Sequence, residues 1–211
     1  KNSALTALDG NILIKENSIS FVKINSKIDQ KNDFSLSIKT NSKDEKITNL
    51  FIEEPESFIK NYKFIKGFKG GKLSYGSVEK NNEAISNLKI YDFKVKEVPI
   101  LAKLLTLASL QGIADLLTGE GVRFNEFEMK YESTKTSTKI KEMFAIGPAI
   151  SILMDGYIVK NEVTSLRGTL VPATTINKTI SKIPVIGDLL VGKKVGEGVF
   201  GVSFKIKGPP K

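Results

Sequence analysis

The stretch from Gly187 to Lys193 contains the glycines and the lysine with which a P-loop holds nucleotide phosphates. The next residue is Lys194, however, where a P-loop has the Ser or Thr whose hydroxyl binds Mg²⁺. A P-loop also opens a helix, whose N-terminus binds the phosphates, whereas this stretch leads into Gly196, Gly198 and an alternating, strand-like run. The sequence therefore predicts no nucleotide site.

Two further patterns could support acid–base or acyl-transfer chemistry. Ser57 and Lys60 have the S-x-x-K spacing of serine–lysine acyl enzymes, but the K-T-G motif of those enzymes is absent. The adjacent carboxylates at Glu53 and Glu54 stand in a polar context with nothing to raise their pKa values. Because no catalytic constellation remains, we expect a protein that is not an enzyme.

The composition excludes whole classes of site. The chain has 211 residues with no His and no Cys, which removes zinc sites of the usual N/S type, Ser–His–Asp catalysis and disulfides. We expect neither a metal nor a cofactor. The net charge of +9 favours anionic partners such as phospholipid headgroups, nucleic acid or acidic polysaccharide. Nucleic acid is not expected, because the basic residues are dispersed and only Arg123 and Arg167 are arginines.

Apolar residues alternate with polar ones along most of the chain, which predicts strands with one buried face. In two of these runs, the one from Leu88 and the one from Val122, the alternation of apolar and polar residues shifts by one residue. The shift at Tyr91 predicts a bulge. With their neighbours, these runs predict at least eight strands and a mainly β protein. The clearest runs are Phe34-Leu36-Ile38, Leu88-Ile90-Phe93-Val95, Val122-Phe124-Phe127-Met129 and Phe200-Val202-Phe204-Ile206.

Two segments have helical spacing instead. A short helix is predicted to begin at Glu54–Ser57, and a longer one to cover Pro99–Leu117 and end at Gly119. The longer segment is apolar nearly all round, and about 19 helical residues would span roughly 28 Å. Its charges at Lys103 and Asp115 favour packing against a sheet over spanning a bilayer. The predicted fold is an extended, curved antiparallel sheet, groove-like, with one long apolar helix and one short helix.

The C-terminal third contains a series of glycine and proline motifs: V-P-A-T-T-I-N from Val171, I-P-V-I-G-D-L-L-V-G from Ile183, and G-E-G-V-F-G-V from Gly196. Together with upstream motifs they closely resemble the C-terminal conserved region of the AsmA-like family of bacterial envelope proteins (the AsmA, TamB and YhdP type). The resemblance covers roughly Phe64 to Gly208. The residues that carry it are Gly70, Gly71, Pro99, Gly119, Gly121, Gly147, Pro148, Pro172, Asn177, Pro184, Gly187, Gly192, Gly196, Gly198 and Gly201.

The resemblance implies a periplasmic segment of a longer protein, anchored in the inner membrane of a Gram-negative bacterium through parts outside this sequence. Proteins of this family are implicated in moving phospholipids between the inner and outer membranes and in outer-membrane integrity. Residues 67–211 would form the family's C-terminal region, and residues 1–66 would contribute strands and a short helix to a longer repeating sheet. The resemblance implies no catalytic residue.

The apolar face of the predicted sheet is the candidate site, because a half-buried aliphatic and aromatic surface can hold acyl chains. Two alternatives remain open. The same face could pack against the 99–117 helix as an ordinary core, or the sheet could dock an envelope protein by strand addition at a free edge. The candidate groove residues are Phe124, Phe127, Met129, Phe200, Val202, Phe204 and Ile206.

Overall fold

The computed structural model describes residues 5–15, 18–59, 66–172 and 201–210. Eleven strands form one antiparallel sheet in which the spatial order is the order along the chain. The prediction of a mainly β protein with an antiparallel sheet is confirmed. The strands are β1 Leu5–Lys15, β2 Ser18–Ile28, β3 Asn32–Thr40, β4 Lys46–Glu53, β5 Lys66–Lys80, β6 Glu83–Lys96, β7 Val122–Ser133, β8 Ser137–Ile146, β9 Ile150–Val159, β10 Val163–Pro172 and β11 Val202–Gly208.

The connections between strands are unequal at the two ends of the sheet. Since successive strands are antiparallel, the connections that follow even-numbered strands all lie at one end, which we call the helix end. Residues 54–59 and 97–121 lie at this end and contain the described helices, α1 Glu56–Ile59, α2 Pro99–Leu107 and α3 Gln111–Thr118. At the other end, the described connections are turns of up to five residues, such as Asn41–Glu45.

The prediction of one long apolar helix over 99–117 is wrong, because the segment forms two short helices. Pro99 is in the first turn of α2, and Gly119 caps α3, so both predicted ends are correct. A single helix that is apolar all round could turn only one side toward the sheet. The break lets both pieces bury leucines, and Leu105 and Leu117 are fully buried.

Main-chain hydrogen bonds after α2 explain where the helix stops. Ser109 N–H donates to the carbonyl of Thr106, and Leu110 N–H donates to the carbonyl of Leu105. Ser109 is in the left-handed region at φ 57°. These are the two bonds of a Schellman motif, with Ser109 at the position that glycine usually occupies. The motif ends α2 and reverses the chain before α3.

The core lies where α2 and α3 cover one face of the sheet at the helix end. Three phenylalanine rings from β5, β6 and β7 stack beneath them: centroids of Phe68 and Phe93 are 5.4 Å apart, and those of Phe93 and Phe124 are 5.5 Å apart. Leu101 and Leu105 of α2 and Leu117 of α3 belong to the same cluster. Phe34 and Phe58 stack in a similar way, 6.0 Å apart, where α1 meets β3.

The phase change predicted at Tyr91 is present in β6, but it is not the predicted bulge, because β6 pairs with β5 and β7 without a register shift at this point. Asp92 has φ 52°, and Ile90 and Phe93 lie on the same face although three residues separate them. Ile90 pairs with Phe127 and Phe93 pairs with Phe124, so β7 shifts by the same amount at the same level. The two irregularities cancel, and the register on either side is preserved.

Candidate functional site: an apolar row across the sheet

The face of the sheet that carries the core continues beyond the helices, and we call it the apolar face. Directly paired residues of antiparallel strands lie on the same face, so the register of the strands defines rows of side chains that cross the sheet. Three such rows run from β2 to β11. They differ in their distance from the helix end.

The row nearest the helices is partly covered. Ile90, Ala145 and Leu170 are buried and belong to the core cluster, while Phe127 and Val202 are half-buried beside it. This part of the apolar face therefore serves as ordinary core. Its members are Ser26, Phe34, Ile52, Leu73, Ile90, Phe127, Ala145, Ile152, Leu170 and Val202.

The next row, which we call the middle row, is apolar in every strand from β2 to β11. Nine of its ten residues are half-buried, and the tenth, Gly168, is buried. Ten strands spaced by about 4.8 Å give the row a length of about 43 Å. It consists of Ile24, Leu36, Leu50, Tyr75, Leu88, Met129, Met143, Met154, Gly168 and Phe204.

The three methionines of the chain are consecutive members of the middle row. Met129 pairs with Met143, and Met143 pairs with Met154. The sequence contains exactly these three methionines, in three different strands. Thioether side chains are unbranched and polarizable, so they adapt to surfaces of differing shape. The part of the middle row in β7, β8 and β9 is therefore its most deformable part.

The row farther from the helices is more polar in the middle of the sheet. Ser86 Oγ donates to Ser77 Oγ at 3.0 Å and lies 3.2 Å from the Tyr75 hydroxyl; both serines are buried. Burial raises the pKa of the neighbouring Tyr131, and the proximity of Tyr75 adds to the effect. These hydroxyls satisfy one another, so the group acts as a structural polar cluster that borders the apolar row.

The opposite face carries most of the charged side chains, and we call it the polar face. Glu128 is its most buried charged residue, at 7% exposure. Its carboxylate accepts a hydrogen bond from Asn87 Nδ2 at 2.9 Å and lies 3.3 Å from Lys89 Nζ and 3.7 Å from Lys130 Nζ. Lys130 also pairs with Glu142 at 3.0 Å, and this hydrogen bond raises the pKa of Lys130. The ionic groups therefore stabilise the sheet on the side away from the apolar row.

Two surface depressions lie over β2–β5, with volumes of about 330 and 480 Å³. Polar-face side chains such as Lys23, Asn49 and Ser74 line the first, and Lys27 and Asp33 line the second. Neither depression includes one of the seven candidate groove residues, although Leu36, Leu50 and Tyr75 of the middle row also line the first. Across the ranges given above, there is no group of three acidic residues placed to hold a metal ion. No helix in the same part of the chain is long and apolar enough to cross a membrane.

Six of the seven predicted groove residues lie on the apolar face, and Phe200 lies outside the described residues. Met129 and Phe204 belong to the middle row, and Ile206 belongs to the row beyond it. Phe124 is different, because it is only 3% exposed beneath α2 and α3. Phe124 is thus a core residue of the covered region.

Several motif glycines have structural roles at the helix end. Gly70, Gly71 and Gly121 have positive φ values of 68°, 92° and 93°, a backbone conformation that other residues rarely adopt. Gly147 N–H donates to the carbonyl of Ile150 at 3.0 Å, in the turn that contains Pro148.

The C-terminal motif residues fall in two groups. Pro172 is the last residue of β10, and Gly201 directly precedes β11. The remaining motif residues lie outside the described part of the chain: Asn177, Pro184, Gly187, Gly192, Gly196 and Gly198. The same holds for the P-loop-like stretch. The predicted boundary at residues 66 and 67 falls at the start of β5, within the continuous sheet.

Only two of the ten middle-row residues, Met129 and Phe204, were predicted from the sequence as site residues. Leu36 and Leu88 were recognised as strand residues, but they and Leu50, Met143 and Met154 were not assigned to the site. Their alternation was visible in the sequence. What was missing was the register, which alone shows that these positions meet across the sheet.

Comparisons with family models, with curated proteins and with solved structures found no match to this chain. The AsmA-like assignment therefore stays a prediction, supported by the quoted motifs.

Proposed function

We propose that the protein is a non-enzymatic phospholipid-handling segment whose apolar face holds acyl chains along the middle row. The observation that carries this proposal is the continuity of that row: an apolar or glycine position in each of ten consecutive strands, outside the buried core cluster, with Leu88 and Phe204 packed against its margin. The row is about 43 Å long, whereas the hydrocarbon core of a bilayer, two acyl chains thick, measures about 30 Å. An acyl chain could therefore lie fully on the row.

Burial of methylene groups would supply the affinity without covalent chemistry. Each buried CH₂ contributes about 0.8 kcal/mol. The row offers no charge to oppose an acyl chain, since the lysines of β2, β6 and β7 lie on the polar face. The headgroup would remain in solvent at the margin of the sheet.

The AsmA-like motifs extend the proposal to a location. In that proposal the chain is a periplasmic part of an inner-membrane-anchored protein, and it conducts phospholipids between the inner and outer membranes in support of outer-membrane integrity. The curved, groove-like shape of the sheet belongs to the same proposal. A curved sheet would shield the acyl chain from water on both sides of the row.

The first test is native mass spectrometry with lipid extraction, on protein purified from bacterial cells without detergent. Phospholipid should co-purify in near-stoichiometric amounts. Leu88→Glu places a charge in the middle row and should abolish this binding. Ile85→Glu, in the same strand but on the exposed polar face, is the matched control and should leave it intact. Folded wild-type protein without lipid would contradict the proposal.

A second candidate function is docking of an envelope protein by strand addition, and the edge strand β1 favours it. Among the residues that the structure describes, β1 pairs only with β2, and Leu8, Ile12 and Ile14 are 67%, 61% and 63% exposed. Exposed apolar edges pair readily with other strands, whereas lysine at an edge opposes this. Leu13→Lys, on the polar face of β1, should abolish binding of such a partner but leave phospholipid binding unchanged. Loss of lipid binding in that variant would argue against two separate sites.

A further inference from the structure

We infer that the middle row accepts bent, cis-unsaturated acyl chains as well as straight, saturated ones, and that Met129, Met143 and Met154 are the residues that permit it. This inference rests on the proposed function and adds the class of chain that the row selects. It starts from the clustering of every methionine of the chain at three directly paired positions.

The composition of the row on either side shows why these positions matter. Toward β2 the row consists of Ile24, Leu36 and Leu50, whose branched side chains have few rotamers and therefore present a fixed surface. Toward β11 it ends in Phe204, a rigid ring. The methionines between them have three rotatable bonds each and a polarizable sulfur. A cis double bond bends an acyl chain, and a fixed surface would lose contact on one side of the bend.

The methionine side chains lie outside the packed core. Met129, Met143 and Met154 are half-buried, and none of them belongs to the core cluster beneath α2 and α3. A change of rotamer at these positions therefore leaves the packed part of the protein in place.

The test compares stearate with oleate, which have equal chain lengths and differ by one cis double bond. Dissociation constants are measured by competition against a fluorescent fatty acid. Wild-type protein should bind both within about twofold. The triple variant Met129→Ile, Met143→Ile and Met154→Ile replaces flexible with β-branched side chains of similar volume. It should retain stearate binding and lose at least about fivefold in oleate binding, an effect of about 1 kcal/mol.

Replacement of methionine by norleucine is the matched control, since norleucine keeps the unbranched shape without the sulfur. Norleucine protein should behave like wild type, because flexibility is the property that matters. The single variant Met143→Ile, at the centre of the three, should show a smaller shift in the same direction. This variant keeps the test valid where the triple variant does not fold.

The outcomes separate this inference from the proposed function. A wild-type protein that already rejects oleate, or a folded triple variant with an unchanged ratio, would overturn the inference while acyl binding stands. Binding of neither fatty acid by wild-type protein would overturn the proposed function and this inference together.

Discussion

The Phe204 ring of β11 occupies the place that a side chain on Gly168 of β10 would need. A Cβ built on Gly168 would come within 2.6 Å of Phe204 Cζ, and it would also meet the carbonyl oxygen of Leu153. The two residues are direct partners in the register. Because Gly168 has no side chain, the Phe204 ring of β11 can lie against β10 on the apolar face and extend the middle row.

Gly168→Ala should therefore weaken the attachment of β11. We expect a loss of about 1–3 kcal/mol in the free energy of unfolding, because the added methyl group forces the ring and the backbone apart. Gly112→Ala is the control, since no atom lies within 4 Å of the built Cβ there. Chemical denaturation of both variants checks this. Equal stability of Gly168→Ala and wild type would show that the ring is not held on the glycine.

Ser109→Gly should stabilise the helical connection. Ser109 ends α2 at φ 57°, and a left-handed conformation costs a non-glycine residue roughly 1–2 kcal/mol. Glycine removes this cost but raises the entropy of the unfolded chain, so we expect a net gain of about 0.5–1 kcal/mol. Ala102→Gly, inside the same helix, should instead destabilise by about 1 kcal/mol. Melting temperatures that move in the same direction for both variants would contradict the Schellman assignment.

Glu53 should make stability dependent on acidic pH. Its carboxylate accepts a hydrogen bond from the Asp33 N–H at 3.2 Å and pairs with Lys72 at 3.3 Å. The bond from the Asp33 N–H, followed by that from Lys72, lowers the pKa of Glu53 below 4.5. A lowered folded-state pKa adds stability above the unfolded value, and this stability is lost as the pH falls through the folded value.

Glu53→Gln should accordingly melt at a lower temperature than wild type at pH 7. The difference should shrink as the pH falls below 4.5, because the wild-type carboxylate then becomes protonated as well. Thermal melts of both proteins across this pH range provide the measurement. A difference that stays constant into strong acid would mean that the charge of Glu53 contributes nothing.

Removal of the Glu128 carboxylate should cost more than removal of an exposed one. Glu128→Ala takes away the partner of Asn87, Lys89 and Lys130, with an expected loss of about 1–3 kcal/mol. Glu132→Ala is the matched control in the same strand, because its pair with Lys141 at 2.9 Å is solvent-exposed and worth up to about 1 kcal/mol. Similar losses in both variants would refute the buried role of Glu128.

The local pattern of the sequence was sufficient to predict a mainly β protein with at least eight strands, and the faces to which apolar residues of the clearest strands belong. Side chains two residues apart share a face, so alternation alone assigns Phe204 and Ile206 to one face. The middle row could not be predicted in the same way. It requires Leu88 to meet Met129, and that pairing depends on two irregularities in β6 and β7 that compensate each other.

The break after α2 could not be predicted for a different reason. The segment lacks a glycine or proline at Ser109, and its leucines favour a continuous helix. The gain from burying both Leu105 and Leu117 against the sheet outweighs the cost of a left-handed serine. This balance arises from tertiary packing, which local propensity does not contain.

The accessibility of the three methionines to peroxide tests the central claim most directly. Met129, Met143 and Met154 are the only methionines of the chain, so oxidation measured by mass reports on the middle row alone. Phospholipid-loaded protein should oxidise several-fold more slowly at all three positions than lipid-free protein. Equal rates in the two samples, with lipid still bound, would show that acyl chains do not lie on this row.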